Sequence, residues 1–198
     1  MKILVTAFEP FGGDAVNSSL AALRSLPETV AGVQVCKSVI PVVFGLCGQV
    51  LAQKIREIRP DGVLCLGMAA GRGQITPEVF AVNARYARSA DNGGQRFETL
   101  TPCDPAGPDA YRTKLPAETI VTRLLEGGIP ASLSFTAGTY VCNDLFYSLM
   151  GLAEVPAGFI HVPQAAEDAP EGRAAMPQEQ ISRGITLALE VLAEAIKR

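Results

Sequence analysis

Val33-Gln34-Val35-Cys36-Lys37-Ser38-Val39-Ile40 alternates like a half-buried strand, and Pro41 closes it. From Leu46 to Ile58 the period changes. Leu46, Val50, Leu51, Ile55 and Ile58 recur at the 3.6-residue spacing of a helix with one apolar face. Gly62-Val63-Leu64-Cys65-Leu66 then runs continuously apolar, as a strand does when helices cover both faces of its sheet. Strand, helix and buried strand in succession predict an α/β fold with a mostly parallel sheet.

The same alternation extends in both directions. Lys2 to Ala7 is a short β-rich run that stops at Pro10 and the Gly12-Gly13 turn. Asn17 to Leu26 reads as a helix capped by Asn17 or Ser18, with Leu20, Leu23 and Leu26 turned inward. On the other side, Val79 to Tyr86 alternates again, as a strand or as part of an antiparallel arm. Ser89 to Asp109 is rich in Gly, Pro, Asp and Thr, lacks periodicity, and is expected to be the longest loop. Ala117 to Leu125 is a helix ended by Gly127-Gly128, and Ser134 to Val141 is expected as a strand leading into a helix from Asn143 to Gly151. Gly158 to Val162 is the last strand. Pro177 opens a final helix with an apolar stripe of Ile181, Ile185, Leu189, Leu192 and Ile196. No repeat or linker divides the chain, so residues 1–198 are expected to form one domain.

Composition removes several function classes. Of 198 residues, 48% are hydrophobic and 19% charged, enough apolar surface for a sizeable core. The net charge is −3 with no basic run, which argues against nucleic acid as a partner. No uncharged apolar run approaches the ~20 residues of a membrane span. The apolar stretch at the N-terminus is too short for a signal peptide and ends at Glu9-Pro10. The five cysteines (Cys36, Cys47, Cys65, Cys103 and Cys142) lack paired spacing and read as reduced thiols of a cytoplasmic protein. A single histidine, His161, excludes a metal site built on several imidazoles.

That scarcity focuses the chemistry. His161 lies near the end of the strand Gly158-Phe159-Ile160-His161-Val162-Pro163, and strand ends in open α/β sheets are where ligand crevices form. On position alone it is equally a half-buried histidine satisfied by a carbonyl. Cys142, between an expected strand and the next helix, is the second element. A thiol at a helix N-terminus faces unpaired N–H groups and the positive end of the dipole, which favour the thiolate and can stabilise an oxyanion. Cys36, Cys47 and Cys65 lie within elements and read as packing residues, whereas Cys103 lies in a polar loop. A cysteine nucleophile needs a base, and the base needs an orienting acceptor. His161 is the only imidazole available. Spacing cannot select among twenty carboxylates, although Glu78 is attractive because it sits in a turn just past a buried strand.

Four blocks now stand in order: Phe8-Glu9-Pro10-Phe11-Gly12-Gly13, Ile75-Thr76-Pro77-Glu78, Gly138-Thr139-Tyr140-Val141-Cys142-Asn143 and Gly158-Phe159-Ile160-His161-Val162-Pro163. Together they resemble the pyroglutamyl peptidase I (pyrrolidone-carboxylate peptidase) family of cytosolic cysteine peptidases, over nearly the whole chain. The resemblance implies a three-layer α/β/α sandwich with a mixed, mostly parallel central sheet. It also implies removal of N-terminal pyroglutamyl residues from peptides without metal or cofactor, and assembly into homodimers or homotetramers. Carried over by position, Cys142 resembles the nucleophile, His161 the general base and acid, and Glu78 the group that orients His161. Phe8 and Phe11 resemble the aromatic pair that holds the ring, and Arg88 the arginine near the reacting carbonyl. Met68 stands where many members carry Gln, so only a backbone contact to the ring survives there.

Three further positions depart from the pattern. Val79 replaces a common basic residue, Ser89-Ala90 replaces Ile-Pro, and the Cys142-to-His161 separation, 161 − 142 = 19, is short for the family. The shortening falls around Leu152 to Ala157 and is expected to trim a surface connection. Pyroglutamate is a small neutral lactam, so flat apolar walls and a few hydrogen bonds suit it better than an acid that captures an ammonium. Two other readings compete: a phosphate-dependent phosphorylase with Gly12-Gly13 lining the anion, and a non-catalytic binding relative. Glu9 beside the glycines opposes the first, and the intact Cys142, His161 and Glu78 oppose the second.

Overall fold

The computed structural model describes residues 1–12 and 16–198; Gly13 therefore lies outside the described residues. The central sheet is built from β1 (Lys2–Phe8), β2 (Thr29–Val30), β3 (Val33–Ile40), β4 (Gly62–Met68), β5 (Thr76–Pro77) and β10 (Ala157–Val162). Its spatial order is β2-β3-β1-β4-β10-β5. The four inner strands, β3, β1, β4 and β10, run parallel, while short β2 and β5 close the two edges antiparallel. Helices α1 (Ser18–Ser25), α3 (Ala117–Glu126) and α5 (Gln178–Ala195) cover one face, and α2 (Leu46–Ile58) and α4 (Val141–Leu152) cover the other. The three-layer expectation holds.

Side-chain alternation along the strands assigns each residue to a layer. On β1, Ile3, Val5 and Ala7 enter the α1/α3/α5 core, and Leu4 and Phe8 enter the α2/α4 core. On β10, Ile160 and Val162 take the first side and Phe159 takes the second. By the same period His161 faces the α2/α4 layer. Because β10 pairs with β4 in the register His161↔Gly67, the histidine stands beside a residue with no side chain.

The predicted β3 and α2 match the observed limits, and Asn17 caps α1 by accepting from Ser19 N. Two predictions need correction. Ser134 to Val141 is not a strand: within it only Ser134 forms an isolated bridge at the sheet edge, to Glu78, and Ala131 just before it bridges Ile75. Gly138 then turns the chain at φ 80°, with its N–H donating to Thr136 Oγ1. The predicted loop from Ser89 to Asp109 contains a strand, β8 (Phe97–Thr101), paired with β7 (Arg85–Ala87). Glu98, Thr99 and Leu100 are all exposed, so β8 carries no apolar alternation to reveal it. The Val79 to Tyr86 run resolves as its antiparallel-arm reading, with β6 (Phe80–Val82) paired to β9 (Ala110–Arg112) and β7 to β8. Residues 153–156 form a tight link from α4 into β10.

Candidate active site

Cys142 sits in the first turn of α4, where Tyr140 is the cap residue but supplies no side-chain cap. The turn is held from outside. Asn143, fully buried, accepts from Val82 N at 3.0 Å and donates through Nδ2 to the carbonyls of Val82 and Ala84. Asp144, also fully buried, accepts from Gly45 N at 2.7 Å and from Arg85 Nε and Nη2 at 2.6 Å. The Tyr140 hydroxyl donates to Ala90 O, and Thr139 Oγ1 donates to Tyr86 O. Residues on either side of the thiol thus tie it to the β6–β7 arm and to the start of α2.

Gly67 places the thiol and the histidine at neighbouring positions over the sheet. A Cβ added at Gly67 would stand 3.2 Å from Cys142 Sγ and 2.7 Å from Phe159 Cζ. Cys142 Sγ therefore lies over the position next to His161, whose neighbouring strand is about 4.8 Å away. The Phe159 ring packs edge-on against the imidazole at 4.9 Å. On the far side, Glu78 Oε1 lies 2.7 Å from His161 Nδ1. An ionised carboxylate only accepts, so Nδ1 carries the proton and Nε2 keeps its lone pair.

Burial decides the charge states. It lifts the Cys142 thiol to about 12, and the Glu78 charge adds to that; the Arg72 charge and the Cys142 N–H oppose it without prevailing. Burial likewise holds His161 below its ordinary value, although Glu78 pulls the other way. Burial alone would raise Glu78, but the His161 hydrogen bond and charge, with smaller contributions from Ser134 and then Arg72, bring it below the usual carboxylate range. The resting pair at neutral pH is a thiol and a neutral imidazole. The helix N-terminus favours a thiolate, as expected, but burial outweighs it.

A narrow slot opens beside Cys142, lined by Phe8, Phe11, Asn17, Val42, Met68 and Tyr140. Phe8 is 2% exposed and also belongs to the α2/α4 core, so the core reading holds for it as well. Phe11 is half-buried, with its ring 6.3 Å from that of Tyr140. Met68, at the end of β4, is buried in the slot wall. Arg88 is exposed just past β7, and no hydrogen bond or ion pair joins it to Glu78, Cys142 or His161. Glu9 is occupied: its Oε1 accepts from Val42 N and Asn92 Nδ2. A larger groove between Val79, Arg112, Lys114 and Phe135 contains none of these residues.

The residue that sequence reasoning missed is Arg72. Its Nη1 donates to Glu78 Oε1 at 2.8 Å and to Thr76 Oγ1 at 2.6 Å. The only signal was its place in Gly71-Arg72-Gly73, in the loop between the buried strand and Glu78.

A family model described as pyroglutamyl peptidase matches residues 1–195. The chain belongs to the pyroglutamyl peptidase family. It is 42% identical to the pyrrolidone-carboxylate peptidase of Streptococcus suis (strain 05ZYH33), over 98% of this chain and 93% of that protein. Among solved structures it is similar to pyroglutamyl peptidase I of Bacillus amyloliquefaciens, with TM-score 0.92, 36% identity, and 98% and 97% of the two chains covered. The pyrrolidone carboxyl peptidase of Pyrococcus furiosus gives TM-score 0.92 at 37% identity, covering 99% and 100%. With the family, the cysteine-type omega-peptidase reading stands; nothing found supports the phosphorylase or the non-catalytic relative. Its substrates are peptides, and among the described residues no helix is long and apolar enough to cross a membrane.

Proposed function

We propose that Cys142, His161 and Glu78 carry out the family's reaction in this chain, releasing an N-terminal pyroglutamyl residue through a thioester. The observation that carries this reading is the placement of Cys142 Sγ over Gly67, the register partner of His161, with Glu78 bonded to the imidazole from behind. The pyroglutamyl ring enters the slot between Phe8 and Phe11, and its acyl carbon meets Sγ. His161 Nε2 takes the thiol proton as the C–S bond forms, and Glu78 stabilises the resulting imidazolium. The Cys142 N–H, at the open end of α4, is the nearest donor for the oxyanion, and Arg88 is the family's candidate to join it. The imidazolium then gives its proton to the leaving amine as the C–N bond breaks. Water, deprotonated by His161, hydrolyses the thioester and restores the thiol.

Met68 contributes through its backbone and its apolar wall rather than through a side-chain hydrogen bond. The continuous six-stranded sheet supports reading residues 1–198 as one pyroglutamyl-peptidase-like domain. Five free cysteines support a reducing, cytoplasmic location. Exposed Phe80 and Phe135 support assembly into dimers or tetramers, which light scattering tests. For the activity itself, the test is a chromogenic pyroglutamyl amide assayed with and without phosphate. Release independent of phosphate, and absent in Cys142→Ala, is the expected result. Release that requires phosphate, or that survives loss of the thiol, overturns the reading.

A further inference from the structure

Glu78 presents an uneven carboxylate. Its Oε1 receives both His161 Nδ1 at 2.7 Å and Arg72 Nη1 at 2.8 Å. Its Oε2 is buried and has no hydrogen-bond partner within ordinary geometry, although the Ser134 hydroxyl lies nearby. The two donors therefore share one oxygen, while the other has only the nearby Ser134 hydroxyl. Arg72 is itself fixed by Thr76 Oγ1, on the strand that flanks β10, so its guanidinium is aimed rather than loose. Its side chain remains 32% exposed, whereas Glu78 is completely buried. A solvent-reached cation at the open end of a buried carboxylate–imidazole pair is an unusual arrangement for packing alone.

We propose that Arg72 is a positioning residue that shares Glu78 Oε1 with His161, fixing the carboxylate as an anion while limiting how tightly it holds a proton on the imidazole. The proposal rests on the triad reading above and adds a fourth member to it. Two charged groups act on the imidazole, Glu78 from just past β5 and Arg72 from the loop after β4, and the Cys142 thiol of α4 lies over Gly67, the register partner of His161. Without Arg72, the Glu78 anion would draw a proton onto His161, and a protonated imidazole cannot accept the thiol proton. Arg72 opposes this in two ways. It takes up lone-pair density on the shared oxygen, and its own charge disfavours a second cation nearby. Burial is the main cause of the lowered proton affinity of His161, and the Arg72 charge adds to it in the same direction.

His161 is the only histidine in the chain, so its imidazole proton resonance can be followed by NMR without assignment in the untagged protein. In Arg72→Met that resonance is expected to titrate at higher pH than in the wild type. The acid limb of kcat/KM on a pyroglutamyl amide should move up with it. Arg72→Lys, which keeps a cation at the same place, should stay near the wild type and remains informative if the Met variant folds poorly. An unmoved or lowered titration in Arg72→Met, or equal shifts in the Met and Lys variants, would overturn the proposal. Glu78→Gln separates the two levels of the argument. If it leaves the histidine titration unchanged, the triad reading itself fails; if it lowers the titration while Arg72→Met does nothing, only the role of Arg72 fails.

Discussion

The two helical layers of this protein are made of different material. The core under α1, α3 and α5 is aliphatic throughout: Ile3, Val5, Leu64, Leu66, Ile160, Val162, Ile181, Ile185, Leu189 and their neighbours. The core under α2 and α4 mixes Phe8, Phe44, Phe146, Tyr147 and Phe159 with the buried polar groups Asn143 and Asp144. Both layers pack on the same strands, and alternation alone sends Ile160 to one and His161 to the other. The aliphatic side excludes water and fixes the sheet without orienting anything. The aromatic and polar side uses directional contacts, because a thiol and an imidazole must meet at a particular spot. One layer holds the sheet; the other holds the proposed site.

Substitutions on the two sides should therefore separate activity from stability. The largest effect belongs to Cys142→Ala, which is expected to lower kcat/KM by roughly 10³-fold or more while leaving the melting temperature close to that of the wild type. His161→Ala should come close to it, since members of such a unit fail together. Leu189→Ala, on the aliphatic side, should do the opposite. It leaves a cavity at a fully buried position and costs about 2–5 kcal/mol in denaturant unfolding, with kcat/KM per folded molecule unchanged. A kinetic loss without a stability loss at Leu189 would break the division between the layers.

The slot provides a finer version of the same contrast. Phe11→Ala should weaken catalysis by roughly 1–3 kcal/mol in kcat/KM with only a small change in stability, because the ring is half-buried at the rim. Phe8→Ala should lose both, because that ring also fills the core at the end of β1. Equal stability losses in the two variants would mean that Phe11 is a core residue rather than a wall of the slot.

The smallest expected effect is on acid stability. His161 and Glu78 both bind protons less readily folded than unfolded. The unfolded chain therefore gains protons first as the pH falls. Stability should decline below the ordinary histidine value of 6.5, and again below the ordinary glutamate value of 4.5. His161→Gln removes the first decline and weakens the second, because the His161 hydrogen bond and charge are what hold Glu78 low against burial. Urea melts across that range check it, and a His161→Gln curve parallel to the wild type throughout would contradict the assigned direction.

Legibility in the sequence follows burial. Strand β3 and helix α2 were readable to the residue because one face of each packs on the core and imposes a period. Strand β8 left no trace because its pairing with β7 is a backbone matter and its side chains face water. The segment from Ser134 to Val141 has strand-like residues but a single bridge, at Ser134, so composition promised more pairing than the topology offers. Cys142 and His161 stand out as candidates through scarcity and their place at element ends. Glu78 needed the family resemblance, because nothing in its spacing distinguishes it from the other carboxylates. Arg72 stayed hidden because its partner lies six residues away across a turn that only the fold closes.

The central claim is that Cys142 is the nucleophile and that its turn of α4 is built to present it. Alkylation with iodoacetamide, followed by peptide mass mapping and residual activity on a pyroglutamyl amide, tests this most directly. Cys36, Cys47 and Cys65 lie in strands and a helix, and burial pushes the Cys65 thiol to about 12; Cys103 is half-buried and pushed to about 11. Reactivity at Cys142 must then come from His161 rather than from exposure. The account predicts that modification appears first at Cys142, in step with loss of activity, and that His161→Ala slows it. Alkylation mainly at Cys103 with activity retained would contradict the account.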